Sequence, residues 1–530
     1  MESKMKKCLW ILPVLLSLGL YAKVLGFGMI WDDRPLFHEV LPHYQKFFDP
    51  FTLKDLYGLP AFYYRPFIML SYMLDRRLWG ENLFGFHFTL WMVHALAVLL
   101  TYFVSLKLSE SRKEAVSIAL AAAFLFAAHP VHAEVAAWIS GRPDGWLAIF
   151  GLLSFLFFLY FRDGLKKSWL FLSYLFFLLA LLSKETAMLL LPCFLFYDFL
   201  FPVEDESFWL RILKWRHAGY LFLVLLFLSA RNHFLGKSLI PYLPGGSPLG
   251  FLKRAFSLYG YYIWKVLWPF PLNAFQLDLP EISWAVPASF LLLMALFLYK
   301  SFKIGFYFFF FFSTLLIPPV IVLLQPMQVA ERYLYLPSFA FCFFVGYFLF
   351  HSPRFRILNW VLLLILVGVW SFKTVERLKI WSDEKFFWEE AAALNPQYGG
   401  PVFNLATAYH REKNREKALF YYEKSLAAPK NSPAERALTY NAIGALHYDE
   451  KEYDQAESYM RKALAEAPIS QAYCNLGGIL SQKQAAEKSG RKKILQEAAQ
   501  NLEECVKTTS KDLQEWKDRL NNVRGELEQL

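Results

Sequence analysis

Asp32 and Asp33 stand side by side in "WDDRPLFHEV", directly after an apolar N-terminal stretch. A carboxylate at such a place can take a proton from an acceptor hydroxyl, provided that cations nearby hold the group that leaves. The chain offers those cations in several short stretches that abut apolar runs. "YYRPF" supplies Arg65, "LLSKETA" supplies Lys184 and Glu185, and "QVAERYLYLPS" supplies Glu331, Arg332, Tyr333 and Tyr335. "HPVHAEVAAWISGRPDG" adds His129, His132, Glu134, Arg142 and Asp144, and "FGFHFTLWMVHAL" adds His87 and His94. Arginine grips a phosphate through a bidentate fork and lysine acts on it as a point charge, so the set suits transfer of a group from a lipid phosphate. Ionisable groups at membrane depth cost several kcal/mol when unpaired, which makes function the default reading. The bland alternative for any one stretch is an interfacial ion pair or a snorkelling side chain. Recurrence on one side of the membrane argues against it for the group as a whole. His87 and His94 lie two helical turns apart and share a face, where a satisfied core histidine is the ordinary outcome. His129 and His132 could hold a metal, but HxxH falls short of the zinc-binding HExxH pattern, and no metal site is assigned.

These residues need a membrane scaffold, and the composition supplies one. The chain has 530 residues, 56% of them hydrophobic and 19% aromatic, above the roughly 45–50% apolar share of soluble domains. The expected fold is all-α: a polytopic bundle with crossings near 9–27, 86–106, 115–129, 146–161, 169–182, 187–201, 218–231, 285–299, 305–324, 337–350 and 357–372, about eleven in all. "FLKRAFSLYGYYIWKVLWP", 251–269, carries Lys253, Arg254 and Lys265 and reads as an interfacial or re-entrant helix. The net charge of +10 is dispersed as short basic clusters between apolar runs, which excludes a nucleic-acid stripe and reads as topology. Lys4/Lys6/Lys7, Lys107/Arg112/Lys113, Arg162/Lys166/Lys167, Arg211/Lys214/Arg216, Lys300/Lys303 and Arg354/Arg356 all fall on one side if 251–269 does not cross. That side is cytoplasmic. The N-terminus then lies inside, while Asp32, Asp33 and everything after about residue 373 lie outside. The five cysteines show neither zinc-site spacing nor a disulfide framework.

After about residue 380 the composition turns charged and alanine-rich. "NLATAYHREKNREKALFYYEKSLAAP" places Leu405, Ala406, Tyr409, Ala418 and Tyr422 at the spacing of a tetratricopeptide repeat,. A second copy carries Tyr440, Ile443, Gly444, Ala456, Ala463 and Pro468, and "AYCNLGGILSQK" starts a third. The expected organisation is a membrane domain over 1–378, an α-solenoid of about three repeats plus a degenerate half unit over 379–510, and a polar capping helix over 511–530.

In order along nearly the whole chain, "WDD", "YYRPF", "FGFH", "HPVHAEVAAWISGRPD", "SKET", "ERYLYLPS" and the repeats resemble the transmembrane and tetratricopeptide repeat-containing O-mannosyltransferase family, within the GT-C-fold glycosyltransferases. The resemblance implies a GT-C-like bundle, a polyprenyl-phosphate sugar donor with mannose favoured, and inverting transfer to Ser or Thr hydroxyls outside the cytosol. It also implies that an acid in the first outer loop is the base: Asp32 or Asp33, with Asp32 favoured. His129, His132, Glu134, Arg142 and Asp144 then shape the donor and acceptor cavity, with Arg65, His87, Glu331 and Tyr333 around it. Lys184, Glu185 and Arg332 serve the phosphate. A lipid monophosphate is already a good leaving group, so no cofactor is required, and a divalent metal is the alternative. One departure is Leu90, where the family often has Asn. The expected partners are the lipid donor, a protein acceptor held by the repeats, and membrane lipids. The short repeat array points to a bacterial inner membrane with periplasmic repeats. Two rival readings are a non-catalytic assembly protein anchored in the envelope and, less well matched to charges gathered in outer loops, a transporter.

Overall fold

The computed structural model describes residues 8–43, 63–201, 215–235, 248–278, 285–300, 329–484, 488–509 and 513–530. Its ordered elements are helices, as the periodicity predicts. The chain divides into two compact units, and the described residues of the second are those from Glu384 onward.

The first unit contains α1 (Ile11–Leu20), α2 (Pro66–Trp79), α3 (Leu83–Leu108), α4 (Ala115–Ala128), α5 (Ala133–Ala137), α6 (Arg142–Gly164), α7 (Lys167–Ser183), α8 (Leu190–Leu200), α9 (Trp215–Leu235), α10 (Pro248–Leu267), α11 (Ala285–Lys300), α12 (Pro337–Phe350) and α13 (Arg356–Ile380). Four of the described helices, namely α3, α6 with the turn before it, α9 and α13, are long and apolar enough to cross a bilayer. A fifth candidate is a bent pair, Ala115–Ala128 with Pro130–Ala137, broken by 55° at His129. Proline is the cause of that break, since it cannot donate to the helical ladder. The expected crossings near 9–27, 169–182 and 337–350 are shorter apolar helices, those near 187–201 and 285–299 coincide with α8 and α11, and 305–324 lies outside the described residues. Many large apolar side chains stay exposed on these helices, including Ile357 at 83% and Phe372 at 62%. Patches of that kind suit contact with lipid.

Local chemistry explains how the helices that carry the site begin and pack. Asn82 caps α3 by accepting from the Phe84 N–H at 3.1 Å,. α6 opens with Pro143 and Asp144 in its first turn, where the missing N–H costs nothing and negative charge meets the positive end of the helix dipole. α6 and α7 form a hairpin tied midway: the Ser173 hydroxyl donates to the Ser154 carbonyl at 2.7 Å and Ser154 returns a bond to the Ser173 carbonyl at 2.8 Å. α4 meets α12 through small residues. A Cβ at Gly346 would lie 2.8 Å from the Ile118 carbonyl oxygen and 3.2 Å from the Ala121 Cβ, so only glycine permits this approach.

In the second unit, α14 (Glu384–Leu394) precedes the helix pairs α15 (Gly399–Arg411) with α16 (Arg415–Leu426), α17 (Pro433–Asp449) with α18 (Tyr453–Glu466), and α19 (Ser470–Gln482) with α20 (Lys488–Thr508), followed by α21 (Leu513–Gln529). Lys413 and Lys451 occupy the same turn in successive pairs, with φ of 58° and 62°. Leu520 and Val523 of α21 join Leu476, Ile479, Leu495 and Leu502 in one core. The cysteine expectation is corrected here: Cys474 of α19 and Cys505 of α20 form a disulfide, 31 residues apart in sequence. Spacing did not reveal it because the two residues meet only when the third helix pair closes.

Candidate active site

A cleft of about 110 Å³ is lined by Asp32, Tyr63, Arg65, Trp138, Ser140, Pro143, Asp144, Lys184, Glu185, Arg332 and Tyr333. Helix ends deliver these groups. Asp144 sits in the first turn of α6, and Lys184 directly follows the last residue of α7, so each charge opposes the dipole of its own helix end. Arg65 precedes α2. Arg332 and Tyr333 lie on a short turn before α12.

The two adjacent aspartates part company at Trp31. Its backbone takes the left-handed conformation, φ 50°, uncommon for a residue with a bulky side chain, and its indole stacks on Trp138 at 5.2 Å with an interplanar angle of 7°. Asp33 turns inward and is fully buried. It accepts from the Ile30 N–H at 3.1 Å, the Ser140 N–H at 2.8 Å and the Ser140 hydroxyl at 2.6 Å. Asp32 is exposed and lines the cleft. Among the described residues no side chain hydrogen-bonds to it or pairs with it.

Every other charge in the cleft is matched. Arg65 holds Glu185 with two bonds, Nε to Oε2 at 3.0 Å and Nη2 to Oε1 at 2.6 Å. Lys184 holds both oxygens of Asp144, at 2.6 and 2.7 Å. Arg332 reaches Glu134 through its backbone N–H at 2.8 Å and Nη1 at 2.5 Å, and its guanidinium lies over the Trp138 and Tyr333 rings. An arginine has five N–H donors, so Arg65 and Arg332 keep donors beyond those bonds.

Acidities follow from this layout. Surrounding protein mass raises the Asp32 carboxyl to about 6, against a smaller lowering by the Arg332 charge. Burial raises Asp33 further, to about 7, although the Ser140 and Ile30 bonds favour its ionised form. Glu185 goes the other way: burial would raise it, but the charge and hydrogen bonds of Arg65 outweigh that and bring it to about 2. Burial lowers Lys184, and the neighbouring Asp144 only partly restores it. One carboxylate near neutrality facing three cations is an arrangement for proton abstraction beside an anion.

Comparison with known proteins adds a second line. The tetratricopeptide repeat profile matches residues 402–431 and 437–469. A nematode protein, the O-mannosyl-transferase F38B6.6 of Caenorhabditis elegans, is 26% identical over 430 residues, covering 74% of this chain and 59% of that protein. The Drosophila melanogaster proteins Tmtc1 and Tmtc2, both named protein O-mannosyl-transferases, are 32% and 33% identical over 204 and 203 residues, or 36% and 34% of this chain. The chain is similar to the TMTC protein O-mannosyl-transferases. The matched stretch spans 23% of Tmtc1, 59% of F38B6.6 and 20% of Tmtc2, less than two thirds of each relative.

In this TMTC-like chain the remaining expected site residues lie outside the cleft lining, and of them Asp33, through Ser140, and Glu134, through Arg332, bond to residues that line it. Glu134 is the buried partner of Arg332. Arg142 is fully buried, pairs with Asp75 at 2.6 Å, donates to the Phe86 carbonyl at 3.1 Å and lies over the Tyr72 ring. Glu331 accepts from the Asn273 N–H at 2.5 Å and from Arg377 at 3.3 Å. His129 bonds the Val266 carbonyl at 3.1 Å. His132 bonds the Phe126 carbonyl and the Ser338 hydroxyl, each at 2.7 Å. His87 is buried with its ring edge-on to Phe27, and His94 bonds the Tyr335 hydroxyl at 2.8 Å. Among the described residues no three His, Cys, Asp or Glu side chains cluster as metal ligands. Tyr63, Trp138 and Ser140 also line the cleft but were not singled out from the sequence. Trp138 and Ser140 lie inside the "HPVHAEVAAWISGRPD" motif, where uncharged residues gave no signal of their own.

Proposed function

We propose that the chain is an integral-membrane inverting glycosyltransferase that moves a sugar, mannose favoured, from a polyprenyl-phosphate carrier to a Ser or Thr hydroxyl of a protein acceptor. The observation that carries the reading is Asp32: the carboxylate in the cleft without a partner among the described residues, opposite Arg65, Lys184 and Arg332. Asp32 takes the acceptor's hydroxyl proton as that oxygen bonds to the anomeric carbon. The bond from that carbon to the phosphate oxygen breaks, and its electron pair leaves with the lipid phosphate, whose charge the spare N–H groups of the three cations receive. Attack opposite the leaving group inverts the anomeric centre. Because each of these cations already has a carboxylate partner, it is their remaining N–H donors that meet the leaving monophosphate, and the scheme routes no step through a metal,.

The names of the relatives support the mannosyl choice. The distribution of Lys and Arg supports an outer-face cleft. The Cys474–Cys505 disulfide independently supports repeats that reside in an oxidising compartment,. We assign the repeats to acceptor capture, since such solenoids present extended binding surfaces. The test is transfer from synthetic polyprenyl-phosphate mannose to a panel of Ser/Thr peptides by the purified chain, beside Asp32→Asn and Asp33→Asn, with and without chelator. Transfer that vanishes in Asp32→Asn supports the proposal; undiminished transfer in that variant refutes it, and loss with chelator would assign a metal.

A further inference from the structure

The C-terminal end of α13 lies among the supports of the cleft. Thr374, Arg377, Leu378 and Trp381 recur there at helical spacing and are all buried,. The Thr374 hydroxyl donates to the Ala128 carbonyl at 2.8 Å, one of the carbonyls left over where α4 ends before Pro130. Arg377 reaches Glu331 at 3.3 Å, the neighbour of Arg332 in the chain. The Gly28 N–H donates to the Ser382 carbonyl at 3.5 Å, in the stretch that leads to Trp31 and Asp32. Between these bonds Trp381 is fully buried and packs on Trp138, ring centroids 5.9 Å apart at 32°. Trp381 is not part of the cleft lining.

Trp138 is where the parts of the site meet. Its ring stacks on Trp31, its indole N–H donates to the Ile30 carbonyl at 3.2 Å, and the Arg332 guanidinium lies over it at 5.2 Å. One ring therefore supports both the residue that precedes Asp32 and a cation of the cleft. A buried ring keeps its place because neighbours fill the space around it, and two aromatic rings at this separation also attract each other. Trp381 supplies that packing to Trp138 from the end of α13.

We propose that Trp381 is a positioning residue of the cleft: it fixes the Trp138 ring and, through that ring, the placement of Asp32 and Arg332. The role of that placement rests on the transferase reading above. The test is initial-rate transfer from polyprenyl-phosphate mannose by the full chain between pH 5 and 8, for the wild type, Trp381→Ala and Trp381→Phe, together with hydrogen exchange of the peptides covering 27–33 and 138–141. Trp381→Ala should lower kcat by at least about tenfold, within the ~100-fold that a misplacement of about 1 Å can cost. It should also move the acidic limb below about pH 6, because water admitted beside Trp138 relieves the burial that raises Asp32 among Arg65, Asp144, Lys184, Glu185 and Arg332,. Trp381→Phe keeps a ring against Trp138 and should restore both rate and limb. Gly346→Val, which disturbs a different helix contact, should keep the limb in place. A Trp381→Ala enzyme with the wild-type rate, or with a lower rate and an unmoved limb, overturns the proposal. If Trp381→Ala fails to fold, Trp381→Leu, which keeps more of the buried volume, takes its place. If the wild type transfers nothing, the transferase reading falls, and exchange alone decides whether Trp381 fixes the Trp138 ring: faster exchange of both peptides in the variant supports it, and unchanged exchange overturns it.

Discussion

The pH profile of transfer tests the assignment of the base most sharply. Asp32 acts only as the carboxylate, so kcat/KM must fall as pH drops through its pKa. With that pKa raised to about 6, roughly nine tenths of the enzyme is active at pH 7 and roughly one tenth at pH 5, a decline of about tenfold. An ordinary aspartate near pH 4 would leave the rate almost flat over that interval. Arg332→Gln removes a charge that lowers the Asp32 pKa, so the acidic limb should move upward while phosphate binding also weakens. Asp33→Asn should leave the limb near pH 6, because Asp33 holds Ser140 and Ile30 rather than facing the acceptor. The assay is initial-rate transfer at subsaturating donor from pH 5 to 8, with protein integrity checked at each pH. A profile that is flat from pH 5 to 7, or a limb that persists in an active Asp32→Asn enzyme, would refute the reasoning.

Asp32→Asn should lower kcat by about 10²–10⁴-fold with donor affinity nearly unchanged, as is usual when a general base is removed, read from transfer rates and donor titration. Asp75→Asn leaves Arg142 buried without its counter-charge and should destabilise the membrane unit by about 3–5 kcal/mol, visible as a lower unfolding temperature in detergent. Gly346→Val drives a side chain into the backbone of α4 and should cost about 1–3 kcal/mol by the same measurement. Cys474→Ser opens a closed loop of 31 residues and should cost the repeats about 3–4 kcal/mol on the chain-entropy scale. Thiol labelling of the unreduced wild-type protein should find only Cys8, Cys193 and Cys342 free, with Cys505 added in Cys474→Ser.

Much of the molecule is legible in the residues themselves. Apolar runs near the length of a bilayer crossing specify helices whatever their neighbours are, and the spacing of Leu405, Ala406, Tyr409 and Ala418 specifies a repeat, because helix periodicity is a local property. The concentration of charge beside apolar runs likewise marks Arg65, Asp144, Lys184, Glu185 and Arg332 as candidates before any of them is seen to meet. Which charge pairs with which is not local. Arg65 finds Glu185 across 120 residues, Arg332 finds Glu134 across 198, and Arg142 leaves the cleft for Asp75. Cys474 and Cys505 come together only through the packing of α19 on α20. Spacing and composition do not divide the labour of the two aspartates either, since adjacent residues have the same composition around them, and only the family resemblance favours Asp32. The left-handed turn at Trp31, fixed by stacking on Trp138, sends Asp33 into the protein to anchor Ser140 and leaves Asp32 facing the cations.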